Sequence, residues 1–325
     1  MDIWRMLMSK FFLITVDTEG DNLWTWKQGD TIHTKNTLYL QRFQDLCNKY
    51  EFKPVWLTNY EMIQDDRYVD FITKIEHNGQ GELGMHLHAW SSPPSYALNV
   101  TQDGAPYLIE YPTNIMEEKI AYLTDTITKR TGIKAISHRA GRWAMDERYF
   151  QLLCKYGYKV DCSITPGINW KSSIGATEGA AGSDYSKSIK EAHWIDTSEG
   201  RILEVPLTVW GTHRFAFTSN PSLKRELKNI YHAMKGQQIA LRPNGNNLGY
   251  LKALIRYYKK SDSNYLMFMI HSSELMPGGS PTFKDAKSIE QLYKDLEVLF
   301  RNIARDYKGI TLRDYYQLKG EEELL

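Results

Sequence analysis

Residues 81–90 read GELGMHLHAW, an apolar stretch that ends with two histidines two positions apart. Because successive side chains of a β-strand point to opposite faces, His86 and His88 would share one face and could contact one metal ion. The stretch therefore predicts a strand that brings two imidazoles to one place. A metal site would need further ligands and a base from elsewhere in the chain.

The same arrangement, an apolar strand that ends in titratable or cationic side chains, recurs at four other places. These are FFLITV before Asp17 and Glu19, KAIS before His138 and Arg139, KV before Asp161, and LMFMI before His271. In a (β/α) barrel the carboxyl ends of the strands meet at one face, which carries the chemistry. The recurrence predicts that such side chains gather at one end of the fold.

Predicted strands alternate with predicted helices along the chain. We predict strands over 11–17, 53–58, 81–88, 134–140, 158–164, 201–209, 265–271 and 309–312, and helices over 38–50, 60–77, 115–130, 146–156 and 284–305. Alternation of this kind is typical of parallel strands with helical crossovers, in either an open sheet or a barrel. We expect a single domain over residues 1–325, with loop insertions at about 89–114 and 165–200.

The composition excludes several classes of function. A net charge of +1 gives no electrostatic reason to propose nucleic acid or an anionic membrane as a partner. The 3 cysteines have no CxxC spacing, so neither a disulfide framework nor a thiolate zinc site is indicated. No stretch approaches the roughly 20 apolar residues of a membrane span. The apolar run 11–16 leads directly into acidic residues, unlike a secretion signal, so we expect a cytoplasmic protein.

Asp17 and Glu19 in VDTEGD are also two positions apart at a strand end, so they share a face as the two histidines do. Two carboxylates and two imidazoles suit Zn²⁺ or a similar divalent transition metal. The acids alone could simply cap the next turn, and the histidines alone could lie at the surface. The two pairs together, on neighbouring strand ends, favour a metal site.

Five motifs in order resemble a known family. VDTEGD, ELGMHLHAW, SHRAGRW, GYKVDCS and MFMIHSSEL are similar in order and spacing to the motif series of the NodB-type polysaccharide deacetylases, and HLHxW resembles their WalW-like subgroup. The resemblance spans about residues 12–312. It implies a distorted (β/α) barrel, expected to be seven-stranded, of the glycoside hydrolase and deacetylase type. It also implies one divalent metal ion, which we expect to be zinc, and removal of N-acetyl groups from sugars.

The resemblance implies catalytic roles for four residues. Asp17 matches the catalytic base, and Arg139 matches the arginine that orients this base. His271 matches the general acid, and Asp161 matches the acid that tunes that histidine. His138 precedes Arg139 and should face the opposite side of its strand, so we leave it out of the metal site.

The same resemblance implies the metal ligands. Glu19 and His86 match ligand positions. The family's second histidine usually lies four residues after the first, where this chain has Trp90. His88 is the available substitute, because strand geometry lets it face the same ion as His86.

A substrate and its alternatives complete the expectations. We expect Trp90, Arg142 and Trp143 to contact an N-acetylated amino sugar. The proposed enzyme is a hydrolase of C–N bonds other than peptide bonds, which removes an N-acetyl group from an amino sugar or glycan intermediate. Two alternatives are a hydrolase of another amide or imide bond and a catalytically silent carbohydrate-binding barrel. The oligomeric state stays open.

Overall fold

The computed structural model describes residues 9–27, 29–216 and 222–322. Its strands are β1 Phe11–Thr18, β2 Pro54–Thr58, β3 Glu82–Leu87, β4 Ser137–Ala140, β5 Val160–Asp161, β6 His193–Thr197, β7 Gly200–Glu204, β8 Val209–Thr212, β9 Gln237–Ala240, β10 Tyr265–His271 and β11 Lys308–Gly309. Its helices are α1 Leu40–Lys49, α2 Tyr60–Gln64, α3 Asp66–His77, α4 Thr113–Thr131, α5 Glu147–Lys155, α6 Leu223–Lys235, α7 Leu248–Lys259, α8 Ala286–Ile303 and α9 Leu312–Glu322.

The central sheet is parallel and curled. Its strands follow the order β10-β1-β2-β3-β4-β5-β7, and each neighbouring pair in this series is parallel. Strand β6 adds antiparallel to β7, and β11 pairs with the start of β1. Strands β8 and β9 form a separate antiparallel pair. The seven parallel strands and their helical crossovers confirm the predicted distorted (β/α) barrel for the described part of the chain.

The gap between β10 and the outer end of the sheet is bridged by backbone hydrogen bonds. The amide of Met269 donates to the carbonyl of Leu241 at 3.2 Å, and the amide of Thr208 donates to Met267 at 3.4 Å. These bonds bring the residues that flank the β8–β9 pair against β10. The sheet is therefore a curled half-barrel with this pair beside its open edge.

The strands are apolar on both faces because each face covers a different core. Leu13, Val55 and Met267 pack in a cluster inside the curl. Residues of opposite parity, such as Ile14 and Trp56, pack outward in a second cluster that the helices share. Parallel sheets with both faces covered carry nearly continuous apolar strands. A polar side chain on such a strand therefore faces either the inside of the barrel or the helix layer, depending on its parity.

Two predicted elements are each divided in the structure. The predicted helix over 60–77 breaks at Asp65, whose backbone is extended. The Asp65 carboxylate caps the second helix by accepting a hydrogen bond from the Arg67 amide at 3.0 Å. The predicted strand over 201–209 forms two strands instead, with Pro206 in the intervening residues. Proline has no N–H to donate to a sheet, so the ladder stops there.

Three predicted strands are shorter than expected, and one of them is β4, which begins only at Ser137 within the predicted 134–140. Only β5 forms within 158–164, and β11 replaces the strand over 309–312. Thr311 then starts α9, because its hydroxyl accepts from the Asp314 amide and the Asp314 carboxylate accepts from the Thr311 amide, each at 3.1 Å. Elements without a sequence prediction are β6, β9, α6, α7 and α9, and the prediction includes only Val209 of β8.

The two predicted loop insertions consist mainly of irregular backbone. Residues 89–107 contain neither a strand nor a helix and include a cis peptide bond between Pro93 and Pro94. Residues 165–192 contain only isolated bridges. Within the described residues, no helix has the length and apolar character that crossing a membrane requires. The single-domain organisation over 1–325 stays a prediction.

Candidate metal centre and active site

The candidate residues meet because their strands are adjacent and in register. Asp17 pairs with His271 across β1 and β10, and His86 pairs with Arg139 across β3 and β4. These four residues share the parity of the inner cluster, so their side chains point inside the curl at the carboxyl ends of the strands. The structure thus places chemistry-bearing residues from four strands at one mouth of the barrel.

Three side chains bring ligand atoms together at this mouth. Nε2 of His88 lies 2.9 Å from Oε2 of Glu19 and 2.8 Å from Nε2 of His86. Nε2 of His86 lies 3.6 Å from the same carboxylate oxygen. One atom from each residue falls within 4.8 Å of the other two, and all three residues are buried. His88, rather than Trp90, completes this group.

Hydrogen bonds with neighbouring residues fix two of the three ligands. The carbonyl of Arg139 lies 2.9 Å from Nδ1 of His86. A carbonyl only accepts, so Nδ1 carries the ring proton and Nε2 turns its lone pair toward the other ligand atoms. The backbone amide of Glu19 donates to the Ser272 hydroxyl at 3.1 Å. The side-chain amide of Asn36 donates to the backbone carbonyl of Glu19 at 2.8 Å.

The donor set fits a divalent metal ion. Two imidazole nitrogens and one carboxylate oxygen form the three-ligand set of catalytic zinc sites, which keep a further position open. Nε2 of His88 has one hydrogen-bonding position for two neighbours, Glu19 and His86, so hydrogen bonds alone leave the group incompletely satisfied. Nδ1 of His88 is buried without a partner. Glu19, His86 and His88 are therefore the residues that would hold the ion.

The electrostatics of the group favour an ionised carboxylate. Burial alone would raise the pKa of Glu19, but His271, His86 and His88 hold it well below its ordinary value. Burial tends to lower the pKa of His86, yet the carboxylates of Asp17 and Glu19 raise it overall. Burial lowers the pKa of His88, with His86 adding to the effect. A neutral His88 beside an ionised Glu19 is the protonation state that metal ligands need.

Asp17 lies beside the ligand group and is paired with a buried arginine. Arg139 donates to Oδ1 of Asp17 at 2.6 Å and to the hydroxyl of Thr15 at 2.8 Å. Burial would raise the pKa of Asp17, but the Arg139 guanidinium, with His86 and His271, lowers it below the ordinary value. The ring of Trp143 lies 4.8 Å from this guanidinium and covers it. Asp17 is thus held ionised, with Oδ2 free of Arg139.

His271 faces both carboxylates across a short gap. Its Nε2 lies 3.9 Å from Oδ2 of Asp17 and 3.9 Å from Oε1 of Glu19. Its Nδ1 lies 3.0 Å from the Arg242 guanidinium and 3.1 Å from Oε2 of Glu274. The Nε2 side thus faces both carboxylates at more than hydrogen-bond distance, while the Nδ1 side is held by the protein.

Sequence reasoning missed Arg242, Glu274 and Trp24, whose ring meets the His271 ring edge-on at 5.0 Å. Glu274 follows His271 by three residues in HSSEL, a spacing that one helical turn brings together, so the signal was present. Arg242 lies in LRPNGNN, which is typical of a turn. Its contact with His271 depends on the β8–β9 segment, which had no sequence signal.

The pairing of Asp161 with His271 that the resemblance implies is not found. The carboxylate of Asp161 lies 2.6 Å from Nδ1 of His138 and accepts from the Ser163 amide at 2.9 Å. The reason is strand parity: Val160 and Cys162 belong to the inner cluster, so Asp161 faces the helix layer. His138 also faces outward, as the sequence predicts.

Arg142 is also held away from the metal ligands. Its backbone is left-handed, with φ 57°, and its guanidinium donates to the carbonyls of Ala105 and Ile174. The same guanidinium lies 4.0 Å above the ring of Tyr107. Its substrate contact stays a prediction, and its observed contacts fasten the two irregular segments to each other.

Two clefts open on either side of the ligand group. Trp90 contacts the His88 ring at 4.2 Å and stacks near Trp26 at 6.1 Å, and both tryptophans line a cleft of about 960 Å³. Trp24, Arg242 and Glu274 line another cleft of about 870 Å³ on the His271 side. Each of these clefts therefore has at least one tryptophan in its lining.

No protein-family model and no curated protein matches the chain. A solved structure of a protein from Mycobacterium smegmatis assigned as a polysaccharide deacetylase matches with a TM-score of 0.53 and 11% identity, over 97% of this chain and 92% of that chain. The 4-alpha-glucanotransferase from Thermococcus litoralis matches with a TM-score of 0.50 and 12% identity, over 94% of this chain and 38% of that chain. A GH57 branching enzyme from Thermococcus kodakaraensis matches with a TM-score of 0.51 and 10% identity, over 95% and 71%.

At identities of 10–12%, these similarities concern the fold. The fold is thus shared with a structure assigned as a polysaccharide deacetylase, a 4-alpha-glucanotransferase and a GH57 branching enzyme. Membership of the WalW-like subgroup stays a prediction. The chain has the distorted (β/α) barrel fold of the glycoside hydrolase and deacetylase type.

Proposed function

We propose that the chain is a metal-dependent hydrolase that removes an N-acetyl group from an amino sugar or glycan. The observation that carries the proposal is the meeting of the Glu19, His86 and His88 ligand atoms with Asp17 and His271 inside one barrel mouth. The fold similarity to a structure assigned as a polysaccharide deacetylase supports the same reaction class. An amide carbonyl, a water molecule and a leaving amine are the three groups such a mouth must serve.

When bound, a divalent ion at Glu19, His86 and His88 supplies Lewis-acid polarisation, and zinc is the ion we expect from the N and O donors. Asp17 is the general base. Arg139 occupies its Oδ1 and keeps it ionised, while Oδ2 faces the gap toward His271 and can accept a proton from the attacking water. The guanidinium also prevents the carboxylate from rotating away, because it is anchored at Thr15.

His271 is the general acid that protonates the departing amine nitrogen. In its acid form the ring is an imidazolium with a proton on each nitrogen, so Nδ1–H donates to Oε2 of Glu274 at 3.1 Å and Nε2–H, which points toward the carboxylates, is the proton given to the amine. Glu274 accepts from the backbone amide of His271 at 3.0 Å and from Arg242 at 3.0 Å, which holds both residues. Nε2 of the acid and Oδ2 of the base thus lie side by side at the mouth, 3.9 Å apart, where both can face one bound amide.

Acetate release from N-acetylglucosamine oligomers tests the proposal directly. We expect the zinc-loaded protein to release acetate, a chelator to stop the release, and added zinc to restore it. Failure to release acetate from any N-acetylated amino sugar at full metal loading would overturn the proposal. Cleavage of a small amide or cyclic imide would then support a different C–N hydrolase, and sugar binding without product would support the silent barrel.

A further inference from the structure

A cleft beside Trp90 has features that the proposed reaction does not use. This Trp90 cleft, of about 960 Å³, is lined by residues of loop 89–106, by Trp26 and by Lys119 of α4. Trp90 separates it from the metal ligands, since its ring lies 4.2 Å from the His88 ring on one side and lines the cleft on the other. A group in this cleft would lie one aromatic ring away from the ligand group.

Lys119 is a buried cation that has no anionic partner among the described residues. It is 2% exposed, and its Nζ donates to the carbonyls of Ser92 and Pro94, each at 2.6 Å. The ring of Tyr111 lies 5.0 Å from the ammonium, and in the part of the chain that the structure describes no carboxylate forms an ion pair with it. An ammonium has three donors, so one N–H remains after the two carbonyls. Burying a charge without a counter-charge is costly.

Two further donors in the same lining have no hydrogen-bond partner within residues 9–27, 29–216 and 222–322. Ser92 is only 3% exposed, and its buried hydroxyl makes no hydrogen bond with the described residues. The indole N–H of Trp90 is also buried and unpaired. Buried polar groups are nearly always paired, and an unpaired one calls for an explanation. An ammonium, a hydroxyl and an indole N–H that line one cleft can all donate to a ligand rich in acceptors.

We propose that the Trp90 cleft binds the carboxylate of an acidic sugar residue. Lys27 and Lys119 are the cations in its lining and Asp103 is the anion, which leaves one positive charge for a singly charged carboxylate to balance. The rings of Trp26 and Trp90 offer apolar faces against which a sugar ring can pack. That this acidic residue adjoins the amino sugar being deacetylated rests on the proposed function; the binding itself does not.

Isothermal titration calorimetry with methyl glucuronide and methyl glucoside tests the proposal. The two sugars differ only by a carboxylate in place of a hydroxymethyl group, and neither carries an acetyl group that could be hydrolysed. We expect the full-length protein to bind the glucuronide at least tenfold more tightly. Equal dissociation constants for the two sugars would overturn the proposal.

Variants locate the preference in the cleft. Lys119→Met keeps the length of the side chain and removes its charge, so the preference should disappear. Ser92→Ala removes a hydroxyl that has no partner in the fold, so it should keep the fold and weaken glucuronide binding several-fold. Lys129→Met changes an exposed lysine of the same helix and should leave the preference intact.

The outcomes separate this proposal from the proposed function. A glucuronide preference that both Lys119→Met and Ser92→Ala leave intact contradicts the acidic subsite, whatever the acetate assay shows. If Lys119→Met does not fold, Ser92→Ala alone decides. If the preference depends on these residues but the protein releases no acetate, the acidic subsite is supported and the proposed deacetylase function is contradicted.

Discussion

Two buried clusters of carboxylates and histidines lie on opposite faces of the same sheet. The mouth cluster comprises Glu19, His86 and His88, and the wall cluster comprises His138, Asp161 and Glu204. Both are buried and both are built from residues at the ends of parallel strands. They differ in parity, because the mouth cluster faces the inside of the curl and the wall cluster faces the helix layer.

The wall cluster satisfies its histidine within the protein. His138 uses both ring nitrogens, one with Asp161 at 2.6 Å and the other with the Tyr149 hydroxyl at 2.9 Å. In the mouth cluster, ligand atoms point at one another and Nδ1 of His88 has no partner. Residue type therefore does not separate a functional cluster from a structural one. The difference lies in the histidines: among the described residues both ring nitrogens of His138 have partners and Nδ1 of His88 has none, although Oε2 of Glu204 in the wall cluster is also unpaired.

The largest expected effect is at the mouth. His271→Gln removes the proposed general acid and should lower acetate release by about 10²–10⁴-fold, the usual contribution of a positioned acid or base. The ligand group is not altered, so metal content should stay near that of the wild type. Acetate release and metal content are measured on the same preparation. Release within about threefold of the wild type would exclude His271 from proton transfer.

The wall cluster should respond in stability instead. Asp161→Asn weakens the bond to buried His138 and should lower the free energy of unfolding by about 1 to 3 kcal/mol, the cost of leaving a buried group unsatisfied. Chemical denaturation measures this change. Acetate release per folded molecule should change by less than about threefold, because Asp161 does not contact His271. A loss as large as that of His271→Gln would instead support the tuning role that the resemblance implies.

The smallest expected effect is in the pH dependence of stability. Burial, followed by the Asp161 carboxylate, raises the pKa of Glu204 well above its ordinary value of 4.5. The folded protein therefore keeps a proton that the unfolded chain releases, and this contribution to stability falls as pH rises from 4.5 toward the raised pKa. Glu204→Gln has no ionisable group at this position, so its stability lacks this pH dependence.

Denaturation midpoints of wild type and Glu204→Gln across this pH range test that sign. The wild type should lose stability relative to the variant as pH rises through the window. Curves that stay parallel would mean that Glu204 is ionised in the folded protein. The pH dependence that Asp161 contributes to stability has the opposite sign. Its pKa is lowered from 3.8, so its stabilisation is lost only as pH falls below that value.

Much of the mouth could be predicted from spacing and parity. The spacing of two residues puts Asp17 with Glu19 and His86 with His88 on the same face, and adjacent parallel strands bring the two pairs together. The alternation of strands and helices predicts parallel strands with helical crossovers, in either an open sheet or a barrel, and the resemblance to the deacetylases favours the barrel. These features depend on local periodicity, which a sequence records directly.

The contacts that could not be predicted join distant segments. Arg242 contacts His271 through a segment whose strands have no clear sequence pattern. In the sequence Lys119 is an ordinary helix lysine, and only the structure shows that it donates to the carbonyls of Ser92 and Pro94. The role of Asp161 rests on the motif alone. Its neighbour Cys162 faces the inner cluster, so strand alternation turns Asp161 to the opposite face. Side-chain partners across loops depend on tertiary packing that periodicity does not encode.

Elemental analysis of the purified, reconstituted protein tests the central claim most directly, that the mouth cluster holds a metal ion and the wall cluster does not. We predict about one equivalent of zinc or a similar divalent metal in the wild type and in Asp161→Asn, and none in the His86→Ala/His88→Ala double variant. Metal retained by the double variant, or absent from the wild type after reconstitution, would contradict the account.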